Sequence, residues 1–285
     1  MPELEASLVK LCFGLYLGGA VVYVIYAASN ARRAGQLATA LGWLGLGANT
    51  AALIARGIAA GRVPYVTMYE YLMAFAWAVA AVYLVFEWRY AAARADIRPA
   101  GALALLLAVG LLGYGSSLPS QLKQAETLLP VLKSNWLIFH VFTAVIGYGA
   151  AGVATALAVL FLLRNRWPGP DSWQRRLPAP ADLDQAAYRC IVFAFPFLAL
   201  VNITGAIWAY DAWGRFWGWD PKETWSLITW LVYAFYLHAR LRSGWRGAKA
   251  NWVAIIGFAV IMFTFVGVNQ LASFSDSLHS YASGK

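Results

Sequence analysis

Eight long apolar runs divide this chain, at approximately 8–28, 39–59, 70–90, 100–115, 136–163, 189–209, 225–243 and 251–271. A helix needs about 20 such residues, at ~1.5 Å each, to cross the hydrocarbon core of a bilayer. The fourth run is the shortest. The pattern predicts an all-α fold, a polytopic membrane helical bundle of about eight transmembrane helices. It forms a single membrane domain over 1–285, with no internal repeat and no separate soluble domain. Only 12% of the residues are charged and 61% are hydrophobic, with mean hydropathy +0.59. A soluble domain of this size carries about 25% charge.

The formal charge of +9 invites comparison with nucleic-acid binders. The basic residues, however, lie in short loops between apolar runs, where the positive-inside rule places them. Membrane lipid, and no nucleic acid, is the expected partner. One set of loops holds Arg32 and Arg33, then Arg89, Arg94 and Arg98, then Arg164, Arg166, Arg175, Arg176 and Arg189, then Arg240, Arg242, Arg246 and Lys249. The other set, with both termini, is poorer: Lys10, Arg56, Arg62, Lys123, Lys133, Arg215, Lys222 and Lys285. The richer side is expected to be cytoplasmic, which turns both termini outward. The first run starts near Leu8 without a basic n-region before it or a small-residue cleavage site after it, so it reads as a retained helix. Cys12 and Cys190 stand far apart inside apolar runs and form no CxxC, so they read as buried structural residues rather than redox groups.

Between the sixth and seventh runs lies IWAYDAWGRFWGWDPKETWSLITW, residues 207–230. The segment 208–230 holds Trp208, Trp213, Trp217, Trp219, Trp225 and Trp230, six of the chain's 14 tryptophans. Tryptophan anchors helices at membrane interfaces, but a belt uses one or two rings per helix end. Six in one stretch fit a bed for a large, flat, apolar ligand. Arg215 and Lys222 supply charges for that ligand's carboxylates. Asp220 and Pro221 also fit a helix entry, as cap and first residue. Glu70 reads as a helix-start acid. On the same expected face, residues 115–135 carry Leu122, Ala125, Leu128 and Leu129 at helical spacing. That pattern predicts a short amphipathic helix at the interface, with a solvated connector as the alternative.

The chain has three histidines. His140 sits about one turn inside the start of the fifth run, and His279 just beyond the end of the eighth, so both flank the tryptophan segment. Two imidazoles approaching a flat ligand from opposite faces form the arrangement of a bis-histidine haem. The plain alternative for each is a hydrogen-bonded interface histidine. His238 lies thirteen residues past Trp225, about 20 Å down a helix. It is an ionisable residue at membrane depth and therefore a functional candidate.

WGRFWGWDPKETWSLITWLVYAFYLHAR resembles the tryptophan-rich WWD signature of membrane haem-handling proteins. NWLIFHV, GVNQLASFSDSLHSYA and YLHAR extend the resemblance to the CcsA (ResC) family of the system II cytochrome c biogenesis pathway. It covers 135–285, and the helix count carries it over the whole chain. It implies that haem b, as substrate and ligand, is held at Trp213, Trp217, Trp219, Asp220, Trp225, Arg215 and Lys222. His140 and His279 would be the axial iron ligands and His238 a ligand of an inner haem. The family's fused members complete that inner site with a further histidine, which this chain lacks. It further implies an apocytochrome c CxxCH segment as acceptor and a CcsB (ResB)-like partner. The expected setting is a bacterial cytoplasmic or thylakoid-type membrane, with the tryptophan segment and both termini outward. Burying about 300 Å² of porphyrin face at ~25 cal/mol/Å² contributes several kcal/mol, so indoles suit the task. The function expected is that of a subunit of a holocytochrome c synthase. A carrier that only delivers haem to a partner is the alternative. A b-type respiratory cytochrome is a third class, but two bis-histidine haems need four histidines.

Overall fold

A computed structural model describes residues 2–92, 96–123, 132, 134–166 and 176–268. Eight α-helices account for nearly all of them: α1 (Pro2–Ser29), α2 (Arg32–Ala60), α3 (Met68–Ala92), α4 (Ala100–Ser117), α5 (Asn135–Arg166), α6 (Pro180–Trp213), α7 (Pro221–Arg242) and α8 (Ala248–Met262). A 3₁₀ turn follows α4 at Ser120–Leu122, and a π turn continues α8 over Phe263–Gly267. No strand occurs among the described residues.

Each expected run coincides with a helix of its own. The first seven helices are longer than their runs, because polar ends stay helical once nucleated; the eighth run is covered by α8 and its π turn as far as Gly267, and 269–271 lie outside the described residues. Thus α6 begins at Pro180, where a proline's fixed φ suits the first turn. Seven of the eight are long and apolar enough to cross a membrane. The remaining one, α7, has 22 residues, enough for ~33 Å, but carries Lys222, Glu223, His238, Arg240 and Arg242. Of the connector expected to form an amphipathic helix at 115–135, residues 124–131 and 133, with Ala125, Leu128 and Leu129 among them, lie outside the described residues. Its described parts are the end of α4, the 3₁₀ turn, Leu132 and Ser134.

At the centre stands α5, packed along α3, α4, α6 and α8. Of its most apolar window, 72% is buried, against 33% for α1, α2 and α6. Missing side chains make this possible. A Cβ on Gly149 would stand 2.7 Å from the Cβ of Ala78 on α3. One on Gly147 would meet Leu198 of α6 at 3.2 Å, and one on Gly152 would meet Leu107 of α4 at 2.9 Å. Helices in lipid gain from such close approach, since water supplies no drive to associate them there. Leu11, Leu17, Val21 and Ile25 on α1, with Leu37, Leu44, Ile54 and Ile58 on α2, remain exposed. So large an apolar surface fits hydrocarbon rather than water. The protein is an integral membrane protein. Cys12 and Cys190 are both buried and unpaired.

Polar clusters tie the helices at both ends. At the end carrying the tryptophan segment, Glu70 of α3 is fully enclosed. Its carboxylate accepts from Arg56 Nε (2.8 Å), Arg62 Nη1 (2.8 Å) and the N–H groups of Val66 (2.8 Å) and Thr67 (3.2 Å). Glu5 of α1 adds an ion pair to Arg56 at 3.6 Å. Glu70 is thus a helix-start acid, as expected, and also the counter-ion of two arginines. At the opposite end, Asp184 of α6 accepts from both guanidinium nitrogens of Arg240 (2.8 and 3.1 Å), from Gly247 N–H (3.1 Å) and from Asn251 Nδ2 (2.9 Å). Nearby, the buried carboxylate of Glu87 accepts from the hydroxyls of Tyr23, Tyr83 and Thr39.

Candidate functional site

At the end marked by Glu70, the start of α5 lies beside the end of α6. Ser134 Oγ donates to Asp211 Oδ2 at 3.0 Å. One turn further in, the imidazole of His140 rests against α6. Its Nδ1 is 3.0 Å from the backbone carbonyl oxygen of Val201. A carbonyl only accepts, so Nδ1 donates, and in the neutral imidazole the lone pair is then on Nε2. The ring stacks near Trp208, with centroids 6.1 Å apart and planes 23° from parallel. Trp208 in turn meets Trp213 at 5.1 Å and 61°.

Beneath them is a small apolar cluster of Leu137, Val141 and Trp208, against which Tyr65, Tyr71 and Trp213 pack. Tyr65 belongs to the α2–α3 connection that Arg62 and Glu70 fasten. Burial pushes its hydroxyl up to about 12 against the opposing pull of Arg62, so it stays a neutral donor.

The chain then turns. Gly214, at φ 73°, ends α6 with its N–H on the Tyr210 carbonyl at 2.8 Å. Arg215 folds back over Gly218, where any Cβ would collide with the guanidinium. A capping box opens α7. Asp220 accepts from Lys222 N–H at 2.9 Å, and Glu223 Oε2 accepts from the N–H groups of Asp220 (3.1 Å) and Gly218 (2.8 Å). Asp220 and Pro221 therefore hold the helix-entry roles read from the sequence. Glu223 fastens two further loop N–H groups, which the sequence did not disclose. Lys222 is half-buried beside Asp220. Burial pushes its ammonium down to about 8, with the Asp220 carboxylate working the other way.

Trp217 and Trp219 meet edge to face at 5.7 Å and 89°. Trp219 is 69% exposed and has φ 58°, a left-handed backbone that a bulky side chain rarely adopts. Strain of this kind costs about 1–3 kcal/mol. Replacing Trp219 with Gly is expected to leave thermal stability equal to or above that of the parent while weakening retention of a flat apolar ligand several-fold. A fall in melting temperature with unchanged retention would make Trp219 structural.

The six tryptophans do not form one plane. Trp208 is buried under His140, and Trp230 stacks on Phe195 of α6 at 5.4 Å and 18°. Trp225 meets Phe263 of the π turn at 4.5 Å and 62°. Trp213, Trp217 and Trp219 remain at the loop, in angled rather than coplanar pairs. His238 is exposed on α7, makes no hydrogen bond among the described residues and is not brought to the loop. His279 lies outside the described residues. Val201, Gly205, Tyr65 and Tyr71 went unnoticed in the sequence. The only signal was a glycine in NITGAIW, four residues after Val201 and three before Trp208.

The architecture defines a class, membrane helical bundles with a histidine held among aromatic rings at one end. Residues 65–275 match the profile of the family described as Cytochrome C assembly protein. The protein named cytochrome c biogenesis protein CcsA in Chlamydomonas reinhardtii is 37% identical over 232 residues, covering 80% of this chain and 64% of that protein. Its namesake in Synechococcus elongatus is 36% identical over 81% of this chain and 82% of its own length. That of Synechococcus sp. strain JA-3-3Ab is 34% identical over 99% and 96%. The chain belongs to the cytochrome c assembly protein family, among the CcsA proteins. A solved structure named cytochrome c heme lyase CcmF superposes with TM-score 0.70 at 19% identity, covering 95% of this chain and 49% of that one. That likeness concerns the fold.

Proposed function

We propose that this chain serves cytochrome c maturation by holding haem at the tryptophan end of its bundle and presenting it to apocytochrome c. The observation that supports this best is the His140 imidazole, whose Nδ1–H is engaged by the Val201 carbonyl, leaving the lone pair on Nε2. Ligating histidines are commonly held this way through the other ring nitrogen, which fixes the ring and raises its basicity. This donor chemistry fits an axial ligand to haem iron. His279 is the second axial ligand in the proposal, on the sequence alone.

Trp213, Trp217, Trp219 and Trp225 cover the porphyrin's apolar surface. Arg215 and Lys222 meet its carboxylates, and Asp220 with Glu223 keeps the loop in shape. Haem b is the substrate. Each thiol of a reduced CxxCH segment adds across one vinyl group, forming a C–S bond while its proton passes to the vinyl carbon, so no external oxidant is needed. The chain's own residues bind, orient and exclude water; the thiols and the iron supply the reactivity. The proposal places the loop and both termini outside. It gives His238, exposed on α7, to an inner haem contact completed by a CcsB-like partner.

The test is reconstitution of the purified chain with haem and reduced apocytochrome c, with and without that partner. Haem binding by the chain alone, and thioether product that declines when the chain is omitted, are expected. Thioether product that depends wholly on the partner, while haem binding does not, would favour the carrier reading. Haem that fails to bind at all would overturn the reading.

A further inference from the structure

We infer that Gly205 is a positioning residue: by lacking a side chain it fixes the tautomer and the direction of the His140 imidazole. The inference rests on the ligand role proposed for His140 only in its consequence for haem, not in its geometry. Val201, Gly205 and Trp208 fall at i, i+4 and i+7 on α6 and so share one face. Along that face the imidazole meets a carbonyl, a gap and an indole in turn. A Cβ at position 205 would stand 2.9 Å from both Cε1 and Nδ1 of the ring, closer than such atoms approach one another.

Gly205 also bears on the hydrogen bond. In an α-helix the carbonyl of residue i already accepts from the N–H of i+4. The side chain of i+4 lies beside that carbonyl. With none at Gly205, the second lone pair of Val201 is open to a neighbouring helix, and His140 Nδ1 reaches it at 3.0 Å. Relief cannot come cheaply from separating the helices, because α5 and α6 form the most extensively packed pair among the described helices. Gly147 of α5 holds them together two turns further along, with Leu198 at 3.2 Å from its virtual Cβ. On the other flank of the ring stands Trp208. An alanine at 205 therefore turns the imidazole itself. Nδ1 leaves the carbonyl, the proton is free to reside on either nitrogen, and Nε2 swings from its direction.

The test uses the full chain in nanodiscs with ¹⁵N-labelled histidine. In the parent without haem, His140 is expected to show the Nδ1–H tautomer. Gly205→Ala is expected to show a mixture or the Nε2–H form. With haem loaded, Gly205→Ala is expected to lose haem about 10–100-fold faster, the range for removing a partner that orients a ligand. Its midpoint potential is expected to rise, because a less basic imidazole stabilises ferric iron less. The double variant Gly205→Ala/His140→Gly, given free imidazole, is expected to hold haem as well as His140→Gly given imidazole, since an imidazole not tethered to α5 can shift clear of the methyl.

An unchanged tautomer in Gly205→Ala would overturn the inference. So would a double variant that cannot use imidazole where His140→Gly can, because Gly205 would then act through general packing. Haem retention unaffected in His140→Gly without imidazole would instead overturn the ligand reading, while the tautomer comparison still decides the role of Gly205.

Discussion

Replacing His140 with Ala is expected to lower haem affinity at least 100-fold and to reduce thioether formation to the level seen without this chain. The expectation follows from the bond that is lost. Disturbing a partner that merely orients a ligand costs about 10–100-fold in metal affinity, so removing the ligand costs no less. The change removes a half-buried ring from between α5 and α6 and leaves a space lined by Gly205, the Val201 carbonyl and Trp208. Free imidazole fits such a space. Added imidazole is therefore expected to restore a substantial part of the haem binding, with no comparable effect on the parent. Retained attachment activity in His140→Ala without imidazole would remove the residue from the ligand set.

Replacing Glu70 with Ala is expected to destabilise the protein by about 3–5 kcal/mol, the range for stranding a buried charge. Arg56 and Arg62 are 10% and 9% exposed at their side chains, and Glu70 is the only carboxylate that reaches both among the described residues. Glu5 stays with Arg56 at 3.6 Å but does not replace the lost bonds to Arg62 or to the N–H groups of Val66 and Thr67. Against a total stability of roughly 5–15 kcal/mol, such a loss cuts the folded yield sharply. The α2–α3 connection also carries Tyr65 beneath Trp208 and Trp213, so surviving protein is expected to hold haem less well. The double change Glu70→Gln with Arg62→Gln leaves fewer stranded charges and is expected to recover part of the loss. A single Glu70→Ala variant that unfolds at the same temperature as the parent in detergent would show that the cluster does not hold this end together.

The helices were legible because each apolar run is set by its length alone, and a bilayer leaves a run of that length little else to become. The helix entry at Asp220-Pro221 was legible for a similarly local reason: cap and proline are adjacent in the chain. What lay hidden depends on distances between helices. Nothing local pairs Val201 with His140, 61 positions apart; the contact exists because two glycine gaps let α5 and α6 approach. Arg56 and Arg62 read as two basic residues near a helix end, when in fact they close around Glu70. Trp208 and Trp230 counted toward an aromatic bed, yet packing draws them inside, because a ring's position on the helix decides its neighbour more than its place in a tryptophan-rich string.

The measurement closest to the central claim is the absorption spectrum of the purified chain with one equivalent of haem, recorded beside that of His140→Ala. The account predicts low-spin, six-coordinate bands in the parent, and a high-spin spectrum in the variant that returns to low-spin with imidazole. Identical spectra from the two proteins would contradict it.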